Sequence, residues 1–473
     1  MKRQIAFTFA MLAVTAGVAT RTQADEGIVN GVHGYKDPKD YVQPKEKEVL
    51  ERLEWFKDQK LGFFMHFGIY CEIGLMESWP LVDSEAEWSR VEVDWEPDGE
   101  KFKRQYIDLN RSFNPVRFQP DKWADVAARN GFKYVIFTTK HHDGFCLWDT
   151  KYSDYKVTAP ECPFSTHPKA DITRHVFDAF RKRGLGIAAY FSKPDWHHPD
   201  FWENCGLGYR TTRYPTYDVK KFPARWKRFV DYTANQMLEL IENYGPIDIL
   251  WLDGGQVARK RGLDINIEDI VARARKINPG LISVDRCCDN AENVITPEKV
   301  IPPYPMRVPW ESNFRMGDHW GYAYDGKYMS ARQIIQMLMD IVAKGGNLAL
   351  DVGPMPDGRL PQPAIRELDL LGAWLRQNGE AVYATRSIEP FRVGRWAYTR
   401  KGSAIYATYL WADGEKAPGT LSLSLGSSRG VKGVTHLASG KAVAFAEKDG
   451  SLVLTLPADF KADAAADAFK LQF

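Results

Sequence analysis

The chain has little of what marks a membrane protein, a disulfide scaffold or a binder of polyanions. After an apolar run from Ile5 to about Ala19, no segment reaches the roughly 18 consecutive apolar residues that a spanning helix needs, so no membrane span is expected. Six cysteines in 473 residues (Cys71, Cys146, Cys162, Cys205, Cys287 and Cys288) are too few for a disulfide-stapled fold, and their spacing matches no zinc pattern. The adjacent Cys287 and Cys288 read as packed thiols rather than a redox pair. An excess of charge is also missing. The 63 basic and 61 acidic residues leave a formal +2, which removes the electrostatic reason to expect nucleic acid and favours a neutral or weakly charged substrate. Internal repeats and low-complexity linkers are absent.

What is present begins with a basic start, Met1-Lys-Arg-Gln4, then the short apolar run, then small and polar residues ending at Ala24. This is the pattern of a secretory signal over residues 1–24, and it predicts an exported, soluble mature chain, most readily periplasmic, with full secretion as the alternative. The remainder is long enough for more than one domain.

From Leu61 onward, short apolar runs alternate with amphipathic ones. The runs Leu61 to Tyr70, Phe132 to Thr139, Leu185 to Ser192, Ile247 to Asp253, Leu281 to Asp285 and Asn347 to Val352 are continuous in hydrophobicity, as strands covered on both faces require; weaker candidates lie near Arg307 to Glu311 and Ala381 to Thr385. Helical stripes separate them, for example Trp226, Phe229, Val230, Met237, Leu240, Ile241 and Tyr244, and Ser330 with Gln333 forms a capping box ahead of Ile334. A repeated strand and helix predicts a (β/α)8 barrel of TIM type or a doubly wound sheet, and the barrel is favoured because chemically active residues end several different strands. After about Ser387 the runs become short and alternating, so residues 25–386 are expected to form the α/β catalytic domain and 387–473 a small antiparallel β-sandwich.

The most informative strand, Ile247-Asp-Ile-Leu-Trp-Leu-Asp-Gly-Gly255, delivers Trp251 and Asp253 where two glycines end it; a carboxylate at such an end reads as catalytic, the glycines leaving room for a ligand. Thr138-Thr-Lys-His-His-Asp-Gly-Phe145 places His141 and His142 at another end, where imidazoles suit sugar hydroxyls; metal binding is the competing reading, and no cluster with ligand spacing accompanies it. His66 interrupts an apolar strand and needs a partner or a task. Trp79 and Trp88 follow it in a loop, able to wall a sugar site or simply to pack. Tyr190 and Arg286 complete a ring, with Arg286 placed to bond a ligand or the nucleophile, or else to pair with Asp285. Glycosidic cleavage needs a second carboxyl, and Glu298 and Glu311 are both candidates that spacing does not separate.

Together these segments resemble the retaining α-L-fucosidases of glycoside hydrolase family 29. The likeness rests on Phe64-Met-His-Phe-Gly68, the His141-His142 segment, Trp251-Leu-Asp-Gly254, Val284-Asp-Arg286, Pro309-Trp-Glu311 with Trp320-Gly-Tyr322, and Gly346-Asn-Leu-Ala-Leu-Asp-Val-Gly-Pro354 with Pro356-Asp-Gly358, in order over about Leu61 to Leu371. The resemblance implies a barrel followed by a β-sandwich, with Asp253 attacking the anomeric carbon of a terminal α-L-fucose. His66, His141, His142, Tyr190, Trp251 and Arg286 would hold the sugar ring, and Trp251 and Trp320 would wall its methyl group. It further implies Glu298 as acid/base, close behind the arginine motif, with Glu311 the alternative; this acid must begin protonated, as burial or a neighbouring carboxylate would favour. The implied partner is a fucosylated oligosaccharide or glycoconjugate, with no metal and no organic cofactor. Two other functions fit the same residues: an α-glycosidase of galactose-configured sugars, and a catalytically silent carbohydrate-binding protein.

Overall fold

A computed structural model describes residues 41–473 except 92, 285, 287–289 and 426–429, together with the backbone of the antiparallel pair Ile28–Val29 and Val32–His33. The expected signal segment, Asp285 and the Cys287-Cys288 pair lie outside the described residues. Cys71, Cys146, Cys162 and Cys205 are free thiols.

Seven strands form one curled parallel sheet: β1 (Leu61–Met65), β2 (Tyr134–Lys140), β3 (Gly186–Ser192), β4 (Ile249–Asp253), β5 (Ile282–Val284), β6 (Glu311–Arg315) and β7 (Asn347–Asp351). Their spatial order is β5-β4-β3-β2-β1-β7-β6. Eight helices accompany them among the described residues: α1 (Lys47–Gln59), α2 (Gly99–Ile107), α3 (Pro120–Arg129), α4 (Ile172–Arg181), α5 (Pro223–Asn243), α6 (Ile267–Ile277), α7 (Ala331–Ala343) and α8 (Gln362–Asn378). The predicted capping box opens α7, Ser330 and Gln333 each satisfying a backbone amide of the other.

The continuous apolar strands are explained by parity. Phe64, Ile136, Ala188, Tyr190, Ile249, Trp251, Val284 and Ala349 point into the curl and share one core with Val49, Leu53 and Phe56 of α1, which plugs the strands' N-terminal end. Their neighbours Phe63, Val135, Ile187, Leu250 and Leu350 face the surrounding helices in a second core.

The expected eight-stranded closure is not reached. Between the edge strands β5 and β6 runs an irregular segment that meets β6 and the residue before it through the isolated bridges Glu298 to Asn313 and Ile295 to Trp310, and β5 through the amide of Asn293 on the Ser283 carbonyl. Pro297 contributes no amide there, so a regular ladder is interrupted. Two weak strand expectations also shift: the one near Arg307 lies four residues later as β6, and the chain from Gly379 to Thr385 is a short 3-10 turn and loop.

The C-terminal part forms two antiparallel sheets. One is ordered β8-β9-β10-β15-β12, from β8 (Arg386–Val393), β9 (Trp396–Lys401), β10 (Ala404–Leu410), β12 (Gly433–His436) and β15 (Ala466–Gln472). The other is β11-β14-β13, from β11 (Thr420–Leu423), β13 (Ala444–Lys448) and β14 (Ser451–Thr455). Trp396, Val434 and Phe469 of the first pack on Leu421, Leu452 and Leu454 of the second. The sandwich is tied to the barrel side by Gln336 of α7 and Trp374 of α8, which donate to the carbonyls of Trp411 and Ala466 at 2.7 Å each.

Lys60, immediately before β1, is wholly buried, and its ammonium has no hydrogen-bond partner among the described residues. Burial, helped by the nearby charge of Arg386, lowers its pKa from 10.5 to about 7. A lysine with a depressed folded-state pKa leaves stability intact above the unfolded value of 10.5, and that stability is lost progressively as pH falls from there, the loss being complete once pH has passed through about 7. At about 1.4 kcal/mol per unit, the loss is a few kcal/mol. Lys60→Met keeps the stem and removes the charge, so we expect denaturant titrations at pH 7 to show it more stable by roughly 1–3 kcal/mol, with a flatter loss between pH 10 and 7. Equal stabilities at both pH values would show that the ammonium is solvated after all.

Candidate active site

The site lies at the C-terminal ends of the strands. Asp253 ends β4 at the same inward parity as Ile249 and Trp251. Its Oδ1 is 3.1 Å from Arg286 Nη1, and its Oδ2 accepts a 2.6 Å hydrogen bond from the Tyr190 hydroxyl of β3. His142 Nε2 stands 3.9 Å from the same Oδ2. Burial opposes the charge on Asp253, but Arg286, His142 and the tyrosine hydroxyl outweigh it and hold the carboxyl well below the ordinary aspartate range. It is an ionised carboxylate with its orientation fixed on two sides.

Gly254 follows with φ +88°, and a Cβ there would come within 2.2 Å of the Pro194 ring. Gly254 thus makes room for the loop after β3 to pack against the strand end.

Arg286 carries the second carboxyl. Its Nη2 donates to Glu298 Oε2, so one guanidinium bridges Asp253 and Glu298, while its plane lies over the Trp251 ring, 5.3 Å from the centroid. The Glu298 side chain is 24% exposed, at the end of the irregular segment beside β6. The expected burial of the acid is therefore not found; its neighbour is a cation.

Glu311 is elsewhere. It opens β6 in register with Asn347, at the sheet's N-terminal end, and is 1% exposed. One oxygen accepts from the Tyr134 hydroxyl and the other from Trp251 Nε1 at 3.1 Å. Burial raises its pKa to about 7 against those two donors. It supports Trp251 from below, on the far side of the indole from the cluster at the strand ends.

The three sequence-selected histidines do come together. The His141 and His142 rings are 4.4 Å apart, and His66 is 5.7 Å from His141. His141 Nδ1 is 2.6 Å from Ser78 Oγ, which also donates to Asp143 at 2.9 Å. His66 Nδ1 is 2.8 Å from Asp351 Oδ1, an oxygen that accepts the His66 backbone amide as well. An oxygen already accepting from the amide is best satisfied by a second N–H, which places the ring proton on Nδ1 and leaves Nε2 free to accept. Burial lowers His66 to about 3 and His142 to about 4, and takes His141 well below its usual value. All three should be neutral at pH 5.5, and ring-nitrogen NMR shifts at that pH check this; an imidazolium at His66 would contradict it.

The aromatic candidates divide. Trp320 stands 5.3 Å from His66 and 6.0 Å from Phe64, within the cluster. Trp251 is buried, stacked on Tyr190 at 5.3 Å, so it backs the site rather than presenting an open face. Trp79 meets His142 edge-on at 5.4 Å, and Trp88, 54% exposed, lies 6.1 Å further out. Among residues not selected from sequence, Asp351 and Ser78 orient histidines. Asp351 is a lone acid in an apolar strand, the signal that could have marked it.

One atom each from His141, His142 and Asp253 lies within 4.8 Å of the others, close enough to share a metal ion. The guanidinium already on Asp253 supplies the positive charge such an ion would bring and would repel it, so the trio reads as hydrogen-bonding groups. Neutral imidazoles beside a fixed carboxylate, with a second carboxyl on the same arginine, suit a polyhydroxylated substrate with an electrophilic carbon.

A family model described as alpha-L-fucosidase matches residues 32–380. The chain belongs to the α-L-fucosidase family. Plasma alpha-L-fucosidase of Homo sapiens is 26% identical over 399 residues, 81% of this chain and 80% of that protein. Tissue alpha-L-fucosidase of Homo sapiens is 28% identical over 380 residues, 75% of each. Among solved structures, alpha-L-fucosidase isoenzyme 1 from Paenibacillus thiaminolyticus superposes with a TM-score of 0.74 at 30% identity, over 90% of this chain and 99% of that one. The Thermotoga maritima α-fucosidase in complex with fucose gives 0.71 at 26%, over 90% and 100%. The protein is thus an α-L-fucosidase, a glycoside hydrolase, and its curled parallel sheet with C-terminal antiparallel sheets is the fold of its relatives.

Proposed function

We propose that this α-L-fucosidase is a retaining exo-enzyme that releases terminal α-L-fucose from glycans by two displacements. The observation that carries the proposal is the pairing of an ionised Asp253 with Glu298 on the single guanidinium of Arg286. In the first step an Asp253 oxygen forms a bond to C1 of fucose; the C1–O bond to the leaving sugar breaks, and its electron pair takes a proton from Glu298. In the second, Glu298 takes a proton from water, whose oxygen bonds to C1 and releases the Asp253 carboxylate. One guanidinium holding both carboxyls favours the short separation, about 5 to 5.5 Å, of retaining glycosidases over the wider spacing that admits a water between them. The fucose complex of the Thermotoga relative supports fucose as the sugar. The neutral His66, His141 and His142 suit its hydroxyls, and the Trp320 face suits its methyl group. The basic and apolar amino-terminal pattern supports action outside the cytoplasm, in a periplasm.

Proton NMR of the first product formed from an aryl α-L-fucoside tests the stereochemistry. Initial appearance of α-fucose, followed by slow mutarotation, is expected; β-fucose appearing first would overturn the double displacement.

A further inference from the structure

On the same C-terminal face of the sheet as the catalytic cluster lies a second cavity. Three loops meet there, supplying Glu85 from the loop after β1, Arg213 and Tyr214 from the loop after β3, and Gln256 and Arg261 from the loop after β4, around about 310 Å3. The cavity is linked to the catalytic cluster through a chain of three contacts. Arg213 lies over the Trp79 ring at 5.1 Å, Trp79 touches His142 at 5.4 Å, and His142 reaches Asp253.

Its charge is not balanced. Glu85 pairs with Arg213 at 3.3 Å, while Arg261 donates only to the Tyr214 hydroxyl at 2.9 Å and has no carboxylate within ion-pair distance among the described residues. Gln256, 5% exposed in the wall, has an amide nitrogen with no acceptor. Its neighbour Arg259, by contrast, is fully engaged by Asp264 and Glu268 outside the cavity. Two guanidinium forks against one carboxylate, beside an unspent amide donor, make a surface matched to a planar or tetrahedral oxyanion.

We propose that this cavity is a subsite for an oxyanion, a sulfate ester or a carboxylate, carried by the saccharide to which fucose is attached. The proposal rests on the fucosidase reading above and names the substrate class it leaves open. It also amends the expectation of a neutral substrate drawn from net charge: the whole chain is balanced, while this one cavity is cationic. The contribution of Arg261, exposed and long-range, falls with added salt, because screening weakens attraction between exposed charges.

The test compares four substrate types: an aryl α-L-fucoside too short to reach the cavity, a neutral fucosyl disaccharide, and its counterparts bearing a sulfate ester or a uronic carboxylate on the second sugar. We expect kcat/KM for at least one anionic counterpart to exceed the neutral disaccharide by about tenfold at low ionic strength, with the sulfate and carboxylate arms identifying which anion fits. Arg261→Gln should erase that preference and its salt dependence while leaving the aryl fucoside and neutral disaccharide unchanged. Equal rates on neutral and anionic disaccharides, or a preference that survives Arg261→Gln, would overturn the subsite. Absence of aryl fucoside hydrolysis in the native enzyme would instead overturn the fucosidase mechanism, so the two failures are told apart.

Discussion

Asp253→Gly should lower kcat on any α-L-fucoside by about four to six orders of magnitude, because in the proposed double displacement it removes the atom that bonds to C1 and not merely a contact to it. The fold should survive. Asp253 is joined to its surroundings by Arg286 and Tyr190, and after its loss Arg286 keeps Glu298 as a counter-ion, so no guanidinium is left buried without a partner. Near-native thermal melting beside lost turnover is therefore the expected pair of results. The vacated space gives a second readout. A small anion such as azide can enter from the face that Asp253 occupied and attack C1 of an activated fucoside once, giving a β-fucosyl azide of inverted configuration. Recovery of hydrolysis with retained configuration, or normal activity without azide, would show that another group attacks.

The sequence made the barrel strands legible because both faces of the sheet are covered: inward Trp251 and outward Leu250 are equally apolar, so the run is unbroken and easily seen. Asp253 was legible for the same reason, a charge that appears where such a run stops. The eighth position was not. The segment before β6 contains Pro297 and forms only isolated bridges, so no pattern of period or length distinguishes it from a loop. Where Glu298 and Glu311 lie relative to Asp253 depended on register. Glu311 faces the inside of the curl like a site residue, but at the opposite end of its strand, and only pairing with Asn347 reveals which end. The pairing of Arg213 with Arg261 in one cavity is not legible in the sequence, because they belong to separate loops that meet only after folding.

Register also sets the result expected for the acid. Glu298→Ala should reduce hydrolysis of a fucosyl disaccharide by about 10²- to 10⁴-fold, the usual worth of a positioned proton donor, because a sugar alkoxide leaves poorly without one. On an aryl fucoside whose leaving phenolate needs no proton, formation of the fucosyl-enzyme should be nearly unchanged. Its breakdown, which uses the same group as base, becomes limiting, so a burst of phenolate followed by slow turnover is expected, and azide should accelerate that slow phase by intercepting the intermediate. Glu311→Ala should behave differently. It leaves the Tyr134 hydroxyl and the Trp251 indole N–H buried without their acceptors, which costs stability of roughly 1–3 kcal/mol for each donor. Any loss of activity would follow from a displaced Trp251 and the Arg286 resting on it, and would fall on both substrates alike. A leaving-group-dependent loss in Glu311→Ala, with uniform loss in Glu298→Ala, would reverse the assignment. Such a reversal would require Glu311 to act from the N-terminal end of the sheet, with the Trp251 ring between it and the sugar.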